Sequence, residues 1–475
     1  MSFSPATLRR LSRLLAGHRW VRSLSTNILT AIAAALAVMG ATILMTRMLG
    51  PAQLGRVSFL VIVFNAVATL DGLRPVIVVK SSRDQPNDPV PSTALIIMAV
   101  IGSICAMLIA GAEMVFDFGY DLPTGLVIAI ASGLYFPVSV LAGLLEAEGE
   151  TIFTGTLRNG GWMVTYMGFA AATWLHGPLF AYAGILLLFQ VFTGIACLTR
   201  LARSRPHAFS WTGLDPIVMR GLLHDAVNLV GFNLSALVLG TTDRVVLGWV
   251  RGFGPMGPYA SIYEMATRPT AFMRVIAGVS LPELKMRRGS ARVYRVWAAS
   301  LFGFFSVTTL SVAILSFFRY EIVKFVFGSN LLYTGNAFAL IAMTMPISIA
   351  GYFCITLLSA EGDFRSPRLH YARGAVFMVI AAYPLIHWRG LDGAAMLFLA
   401  SRWIDLALLR QTLKRFAIPV SPRAVIVWSG VSIGLLATAL SSRAWLFLPC
   451  FCVAATLVWV KQLQLIKGLD EKCHG

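Results

Sequence analysis

Several charged residues fall inside stretches that are otherwise apolar, and these residues have the chemistry to act on a ligand. Five are arginines and three are aspartates: Arg74, Arg244, Arg268, Arg274 and Arg402, with Asp71, Asp243 and Asp405. A charge inside hydrocarbon costs free energy, so such residues usually face a cavity or a partner, and intramembrane carboxylates commonly serve in relays. A guanidinium presents a planar fork of donors that fits phosphate or carboxylate oxygens.

Some of these charges can neutralise one another within a helix. Asp71 and Arg74, and likewise Arg402 and Asp405, are three residues apart, and Glu264 lies four residues before Arg268. Such spacings place both partners on one helix face, so local structural ion pairs are one interpretation. Arg274 has no acidic residue three or four positions away. It is therefore the strongest candidate for a ligand-binding role.

The composition indicates the class of protein in which these charges sit. Hydrophobic residues make up 57% of the 475 residues, charged residues 13%, and the mean hydropathy is +0.76. A soluble domain carries about 25% charged residues. The chain is therefore predicted to be an integral membrane protein, and the net charge of +18 is attributed to sorting of basic residues by membrane side rather than to nucleic acid.

Reading the chain for runs of about 20 apolar residues predicts fourteen membrane spans. They lie near 26–46, 56–80, 93–112, 122–145, 155–174, 179–199, 224–249, 258–282, 294–317, 331–358, 369–388, 391–409, 422–440 and 443–460.

Lysines and arginines give the orientation. With the N-terminus inside, 27 lie on the inner side and 7 on the outer side. Cytoplasmic loops are rich in these residues, so both termini are predicted to be cytoplasmic in a multi-pass membrane protein. The N-terminal segment shows no cleavable signal peptide. It is predicted to be either a membrane-surface amphipathic helix or a basic cytoplasmic tail.

Two sequence patterns occur once in each half of the chain. "LLEAEGE" at 144–150 corresponds to "LLSAEGD" at 357–363, and "RMLGPAQLGRVSF" after span one corresponds to "VRGFGPMGPYASIY" after span seven. Spans one to six thus resemble spans seven to twelve. Because six is even, the two copies share one orientation.

The repeat gives the predicted domain organisation. A basic segment at 1–25 precedes an N-lobe at 26–205, a cytoplasmic linker at 206–223, a C-lobe at 224–412, and spans thirteen and fourteen with a tail at 413–475. The fold class is an all-α polytopic membrane protein with about fourteen transmembrane helices. The repeat predicts two pseudo-symmetric six-helix lobes, followed by two C-terminal helices.

The first repeated pattern ends in acidic residues at the predicted cytoplasmic face. A carboxylate at a helix C-terminus opposes the helix dipole, so these charges are not placed for helix stability. They are either solvated helix-end charges or partners of Arg158, Arg365 and Arg368 that hold one loop to another. The second possibility gives a hypothetical cytoplasmic gate of Glu146, Glu148, Glu361 and Asp363.

With these residues in hand, the chain resembles the polysaccharide flippases, the oligosaccharide-lipid branch of the multidrug/oligosaccharidyl-lipid/polysaccharide exporter superfamily. The resemblance rests on "LMTRMLGPAQLGRVSF" at 44–59, "ATLDGLRP" at 68–75, "GTTDRVVLGWV" at 240–250, "GPYASIY" at 257–263 and "LLSAEGDFRSPR" at 357–368. The tyrosine common after the glycine of the first motif is missing, since Arg56, Val57 and Ser58 follow Gly55.

The resemblance implies a V-shaped pair of lobes, alternating access, and a polyprenyl-diphosphate-linked oligosaccharide as cargo for O-antigen, capsule or exopolysaccharide assembly. Membrane lipids and other glycan-assembly membrane proteins are the remaining expected partners. The resemblance also implies a central cavity between the lobes and a place in the bacterial cytoplasmic (inner) membrane. Under this reading Arg74, Arg244, Arg268 and Arg274 hold the diphosphate. Asp71, Asp243 and Asp405 are candidates for carrying a coupling ion.

Other functions remain open at this point. A lipid II flippase would share the fold and a basic cavity, whereas a drug/cation antiporter would favour acidic residues at depth. A membrane glycosyltransferase or polymerase needs acids for general base or metal work, and the first outer loop has none. A scaffold in a glycan-assembly complex would look the same. No enzyme activity, cofactor or metal is predicted, and no Cys/His metal spacing is present. Aromatic residues that could stack on sugars are Trp162, Tyr166, Tyr259, Tyr263 and Trp403.

Overall fold

The computed structural model describes residues 19–71, 73–80, 89–116, 120–204, 215–267, 291–361, 363 and 365–416. Its helices are, in chain order, α1 Arg19–Met48, α2 Pro51–Thr69, α3 Leu73–Lys80, α4 Val90–Phe116, α5 Leu122–Ala147, α6 Thr151–Trp174, α7 Leu179–Ser204, α8 Pro216–Arg251, α9 at 253–267, α10 Ala291–Phe317, α11 Arg319–Phe327, α12 Gly335–Ala342, α13 Thr344–Ala360, α14 Arg365–Ser401 and α15 Trp403–Arg415. A 3₁₀ helix, Ser329–Thr334, precedes α12. The described residues contain no strand, so the all-α prediction is confirmed.

Eight segments of the described chain have the length and hydropathy to cross a membrane. They are Leu29–Met48, Pro51–Thr69, Val90–Glu113, Leu122–Ala147, Leu179–Ser204, Pro216–Arg251, Gly335–Ala360 and Arg365–Arg415, the last covering two predicted spans. Helices α6 and α10 match predicted spans five and nine but are not among these eight. Spans thirteen and fourteen lie outside the described residues. The count of fourteen therefore stays a prediction, as does the division into two lobes.

The two ends of the helix bundle are called the outer end and the inner end. The outer end carries the turns near residues 49–50, 120–121, 175–178, 252 and 390, and the inner end is the opposite one; the names follow the predicted orientation. The first half of the described chain is α1–α7, and the second half is α8–α15.

Helix ends follow ordinary rules of local structure. The Asp215 carboxylate begins α8 by accepting hydrogen bonds from the backbone N–H groups of Ile217 at 2.8 Å and Val218 at 3.2 Å. Gly149 lies two residues after the end of α5 and has a φ of 83°. That conformation is cheap only for glycine, so Gly149 is suited to end the helix at this point.

The second predicted span is not one helix, and that expectation was wrong. Helix α2 ends at Thr69 and α3 begins at Leu73, with Asp71 between them in no helix. Pro75 has no backbone N–H, so it cannot donate to the carbonyl four residues before it, which is that of Asp71. A proline one turn into a helix therefore marks where the preceding helix has to stop.

The halves meet at the outer end through their repeated glycine motifs. A Cβ atom on Gly55 of α2 would collide with the backbone carbonyl of Phe253, and a Cβ on Gly257 of α9 would collide with the carbonyl of Pro51. The Phe59 and Phe253 rings also pack edge to face, with centroids 5.8 Å apart. We call Pro51, Gly55, Phe253 and Gly257 the outer seam. The repeated pattern thus supplies the two faces of one close contact.

Helices α12 and α13 form the centre of the second half. In an apolar window of 18 residues within Gly335–Ala360, 89% of the residues are buried inside the protein, compared with 22% in the equivalent window of Val90–Glu113. This burial leaves α12 and α13 shielded from lipid by their neighbours α10, α14 and α15. The second half is therefore a ring of helices around a filled core.

Candidate functional site

A narrow cavity of about 30 Å³ lies between the two halves, next to the outer seam. Its polar lining comes from both sides of the boundary: Thr42, Ser58 and Tyr166 from the first half, and Arg244, Ser261 and Glu264 from the second. A hydrogen bond of 3.1 Å from Thr46 to Ser261 crosses the boundary beside it. The space between the described walls holds about one water molecule, so the halves are closed upon each other here.

Arg244 is the basic residue on the described wall of this cavity. Its side chain folds back so that an Nη donates to the Gly240 carbonyl of its own helix, and its guanidinium lies 4.1 Å from the centre of the Tyr263 ring. Among the described residues its buried Nε has no hydrogen-bond partner. The Asp243 carboxylate is 3.9 Å away, which is an ion pair but not a hydrogen bond. Arg244 thus keeps unused donor capacity beside the cavity.

Asp243 lies directly behind Arg244 and is completely buried. The Tyr259 hydroxyl donates to its Oδ2 at 2.6 Å, whereas its buried Oδ1 accepts no hydrogen bond from the described residues. A buried carboxylate held by one strong donor and one nearby cation is expensive to leave unpaired. The hydrogen bond from Tyr259 to Asp243 therefore holds α9 against α8 at this depth.

A second buried pair extends the same network towards the inner end. Arg402 lies 3.8 Å from Asp405, as the spacing of three residues predicted, and the Tyr371 hydroxyl donates to Asp405 Oδ1 at 2.9 Å. The Phe398 ring links the two pairs, because it lies 4.6 Å from the Arg402 guanidinium and 5.0 Å from the Tyr263 ring. Two arginines and two aspartates thus form one continuous buried set.

Asp71 and Arg74 form a separate cluster in the first half, nearer the inner end. The Arg74 guanidinium is held by both oxygens of Glu146, from Nη2 at 2.7 Å and Nε at 3.2 Å. Asp71 Oδ1 accepts from the backbone N–H of Arg74 at 3.3 Å, while its Oδ2 accepts from the Ser139 hydroxyl. The side chains of Asp71 and Arg74 therefore do not make the local pair that their spacing indicated.

The acidic residues of the repeated inner pattern join helices within one half. Glu150 pairs with Arg200 at 2.8 Å, and the corresponding Asp363 pairs with Arg415. Each pair joins the turn after one helix to the inner end of another, α7 in the first half and α15 in the second. These equivalent bonds hold each half together, and neither crosses to the other half.

Asp363 also begins α14, because its carboxylate accepts from the backbone N–H groups of Arg365 and Ser366, each at 3.1 Å. Partial burial would raise the pKa of Asp363. The Ser366 hydrogen bonds and the charge of Arg415 outweigh that effect and lower the pKa below its ordinary value. This carboxylate is therefore charged throughout the physiological range.

The remaining predicted residues divide into described and undescribed ones. Glu361 accepts from the Tyr294 hydroxyl at 2.5 Å, again within the second half. Tyr166 lines the cavity, and Trp403 is 68% exposed away from it. Arg268 and Arg274 lie outside the described residues, and Glu148 is placed at the end of α5.

Sequence reasoning missed several residues of this site. Asn233, which donates to the Asp71 carbonyl, and Ser139 are single polar residues in apolar runs, whereas Tyr371 lies among basic residues near the start of α14. Tyr259 and Tyr263 were predicted only as aromatics that could stack on sugars. An aspartate in an apolar run needs hydrogen-bond donors once it is buried. Such an aspartate is therefore the signal that a hydroxyl donor from elsewhere in the chain is required.

Comparison with known proteins gives the family. A family model described as "Polysaccharide biosynthesis protein" matches residues 44–334, which is more than half of the chain. The chain belongs to this polysaccharide biosynthesis protein family. The match covers both copies of the glycine motif and the Asp243–Arg244 pair. A search of curated proteins found no match.

Solved structures place this family member in a known fold. "Lipid II flippase MurJ, inward closed conformation" superposes with a TM-score of 0.65 at 13% identity, covering 92% of this chain and 98% of that one. An inward-facing multidrug resistance MATE family transporter of the MOP superfamily gives 0.62 at 14% identity, covering 83% and 98%. A MOP superfamily transporter from Pyrococcus furiosus, whose title reports reverse polarity of the binding pocket, gives 0.51 at 14% identity, covering 83% and 93%. The all-α polytopic fold of this superfamily is thereby confirmed.

Proposed function

We propose that the protein is a flippase that moves a polyprenyl-diphosphate-linked oligosaccharide across the cytoplasmic membrane by alternating access, without chemical change to the cargo. The product would serve O-antigen, capsule or exopolysaccharide assembly. Membership in a polysaccharide biosynthesis family and the fold of lipid-linked and small-molecule transporters support the class. The identity of the cargo is inferred from the positive charge of the site.

The observation that carries this proposal is Arg244. It is a buried guanidinium on the wall between the two halves, with donor capacity that the described residues leave unused. A diphosphate entering hydrocarbon needs charge-assisted donors, and a guanidinium supplies them in matching geometry. A cationic drug would instead meet a positive charge at this position. Arg268 and Arg274, on the chain that continues from α9, are proposed to complete the anion site.

Arg74 is proposed to take part only when Glu146 releases it. In this state both Glu146 oxygens occupy the Nε–Nη2 edge of its guanidinium, so that edge is closed to a phosphate. A diphosphate could exchange with the carboxylate, which is chemically similar as a bidentate acceptor. Glu146, Glu148, Glu361 and Asp363 remain proposed gate residues, although the bonds described above for Glu146, Glu361 and Asp363 lie within one half.

Alternating access requires contacts between the halves to form and break in turn. The outer seam is closed here, with the Thr46–Ser261 bond beside it. We propose that the seam opens to release cargo, while Asp71, Asp243 and Asp405 are the carboxylates whose protonation or cation binding could couple to that step.

The test is the lipid content of a strain lacking the gene. We expect a completed oligosaccharide on polyprenyl diphosphate to accumulate, inaccessible to membrane-impermeant reagents from outside, and to clear when the wild-type gene returns. Arg244→Gln should restore at most about a tenth of the clearance, since a charge-assisted hydrogen bond contributes about 1.5–3 kcal/mol. Arg203→Gln, which removes an exposed arginine at the inner end of α7, is the matched control.

Each other result assigns a different function. Accumulation of the peptidoglycan precursor lipid would make the protein a lipid II-type flippase. A truncated oligosaccharide would place it in glycan synthesis or polymerisation. Full clearance by Arg244→Gln would remove the arginine from the cargo site, and an unchanged lipid profile would leave a drug exporter or a scaffold.

A further inference from the structure

A second and larger cavity opens at the outer end, between α8 and the break in α14. Its volume is about 570 Å³, and it lies outside the outer seam, separate from the cavity that contains Arg244. Its polar wall includes Arg251 and Arg389, and its aromatic wall includes Tyr333 and Trp388. Pro51 closes one edge, so both halves of the chain contribute to it.

The backbone explains why the two arginines meet there. Arg251 is the last residue of α8, and Gly252 follows with a φ of 83°. Arg389 immediately precedes Gly390, whose φ of 58° breaks α14. Helices α8 and α14 pack side by side, as the contact of Arg251 with the His387 carbonyl at 2.6 Å shows. Two glycine turns at one level thus bring two guanidiniums to one pocket.

Both arginines retain donors that can bind a ligand. Arg251 uses one Nη for the His387 carbonyl, and the Arg389 guanidinium lies over the Trp388 ring at 4.3 Å. An arginine has five N–H donors, so most remain available. In the described part of the chain neither arginine forms an ion pair, and the acidic residue in electrostatic reach of Arg389, Asp392, does not line the cavity.

Arg251 and Arg389 lie on the side of the membrane where few basic residues are predicted. Only seven basic residues are predicted on the outer side: Arg47, Arg56, Arg251, Arg319, Lys324, Arg389 and Arg443. Arg47 is engaged by the carbonyls of Phe325 and Val326, and Arg319 is buried against the Tyr320 ring. Arg251 and Arg389 are exposed instead, on the side where positive charge is scarce.

Aromatic side chains place the pocket at the level of lipid headgroups. Trp249 and Trp388 are 78% and 71% exposed, and Tyr383 packs against Trp249 with ring centroids 6.1 Å apart. Exposed tryptophan and tyrosine at helix ends are typical of the interface between hydrocarbon and water. The ligand that this combination fits is a phosphate group attached to a lipid.

We propose that the Arg251–Arg389 pocket binds the phosphate of a lipid headgroup in the outer leaflet. This site is distinct from the transport cavity and does not depend on which cargo the protein carries. Two lipids share the required chemistry, an anionic phospholipid and a polyprenyl diphosphate that has reached the outer leaflet. Each would place phosphate oxygens between the guanidiniums and its chains along the exposed aromatic residues.

The experiment is native mass spectrometry of the full chain after delipidation, with one added lipid at a time. The probes are phosphatidylglycerol, undecaprenyl diphosphate and, as the neutral-headgroup control, diacylglycerol. We expect at least one phosphate lipid to bind, and Arg251→Gln combined with Arg389→Gln to weaken it about tenfold or more. Arg203→Gln combined with Arg410→Gln is the matched control, since both residues are exposed arginines at the inner end.

The two phosphate lipids distinguish the two possible ligands of the pocket, bulk phospholipid and exported cargo. Loss of phosphatidylglycerol binding alone assigns the pocket to bulk phospholipid, and loss of undecaprenyl diphosphate binding alone assigns it to exported cargo. Equal binding of every phosphate lipid by the double variant and the wild type overturns the proposal. Circular dichroism and size-exclusion profiles identify any variant that has not folded, and Arg251→Lys with Arg389→Lys then replaces it, with a smaller loss expected because the charge remains but the fork does not.

Discussion

The side-chain amide of Asn233 donates a hydrogen bond of 3.1 Å to the backbone carbonyl of Asp71, which joins the second half of the chain to the first. Within a continuous helix that carbonyl would accept from the residue four positions later, but that residue is Pro75. The proline leaves the acceptor free, and a polar side chain of α8 occupies it. A local defect in one helix is thus used to make a contact between halves.

Asn233→Ala removes this contact and should shift the population towards states in which the inner ends are apart. One hydrogen bond contributes about 1 kcal/mol, so a change of about fivefold is expected. Distances between spin labels at the exposed residues Ala202 and Ile217 would report it. Ser235→Ala, which removes only a bond to the Gly231 carbonyl of the same helix, is the control. Identical distance distributions for wild type and Asn233→Ala would contradict the assignment.

Gly55→Ala and Gly257→Ala should each force the outer seam apart. Replacing a helical glycine by alanine normally stabilises a helix by about 0.5–1 kcal/mol, so a loss of closure can be attributed to the contact. Labels at the exposed positions Gln53 and Trp249 should move apart and transport should fall. Gly40→Ala, with no atom within 4 Å of the added Cβ, should change neither. A seam that stays closed in both variants would show that the backbone contact is not tight.

Glu146→Gln should lower stability much more than Glu150→Gln. The Arg74–Glu146 pair has side chains only 19% and 24% exposed, so loss of the charge leaves a poorly solvated guanidinium at a cost of about 1–3 kcal/mol. The Arg200–Glu150 pair is 45% and 31% exposed and should contribute at most about 1 kcal/mol. Thermal unfolding in detergent compares the two variants directly. Equal shifts in Tm would mean that Arg74 is better solvated than its position indicates.

Tyr371→Phe should destabilise the second half by about 1–3 kcal/mol. The hydroxyl is the donor to Asp405 Oδ1 within an almost completely buried site, and removal leaves that oxygen short of a partner. Tyr320→Phe removes the same group from an exposed bond to Asn336 and should be nearly neutral. If both variants unfold at the wild-type temperature, Asp405 must be satisfied by another donor.

Much of the fold could be predicted from the sequence because it depends on local signals. The length of the apolar runs predicted the helices, and the three-residue spacing predicted the Arg402–Asp405 pair. The break at Asp71 was missed although Pro75 was visible, because apolar residues continue on both sides and were weighted more than the missing N–H.

The candidate site was less predictable because its bonds join distant residues. Arg74 was matched with Asp71, three positions away, but its guanidinium reaches Glu146, 72 positions away. Asp243 is held by Tyr259, 16 residues along the chain across a turn between two helices. Periodicity reports which face a residue occupies, but not which helix packs against that face. The repeat is the exception, since it aligns Glu150 with Asp363, and each of these residues pairs with an arginine of another helix in its own half.

The break between α2 and α3 also determines what bending would cost. Only two weak turns, Leu70 to Val67 and Asp71 to Ala68, precede the gap, and no helical hydrogen bond runs from Pro75 to Asp71. Among the described residues, rotating α3 about this point therefore breaks no backbone ladder hydrogen bond, and the contacts that oppose the rotation include the Arg74–Glu146 pair and the bond from Asn233 to the Asp71 carbonyl. The second span can therefore bend at this point, so that α2 stays in place at the outer end while α3 moves at the inner end.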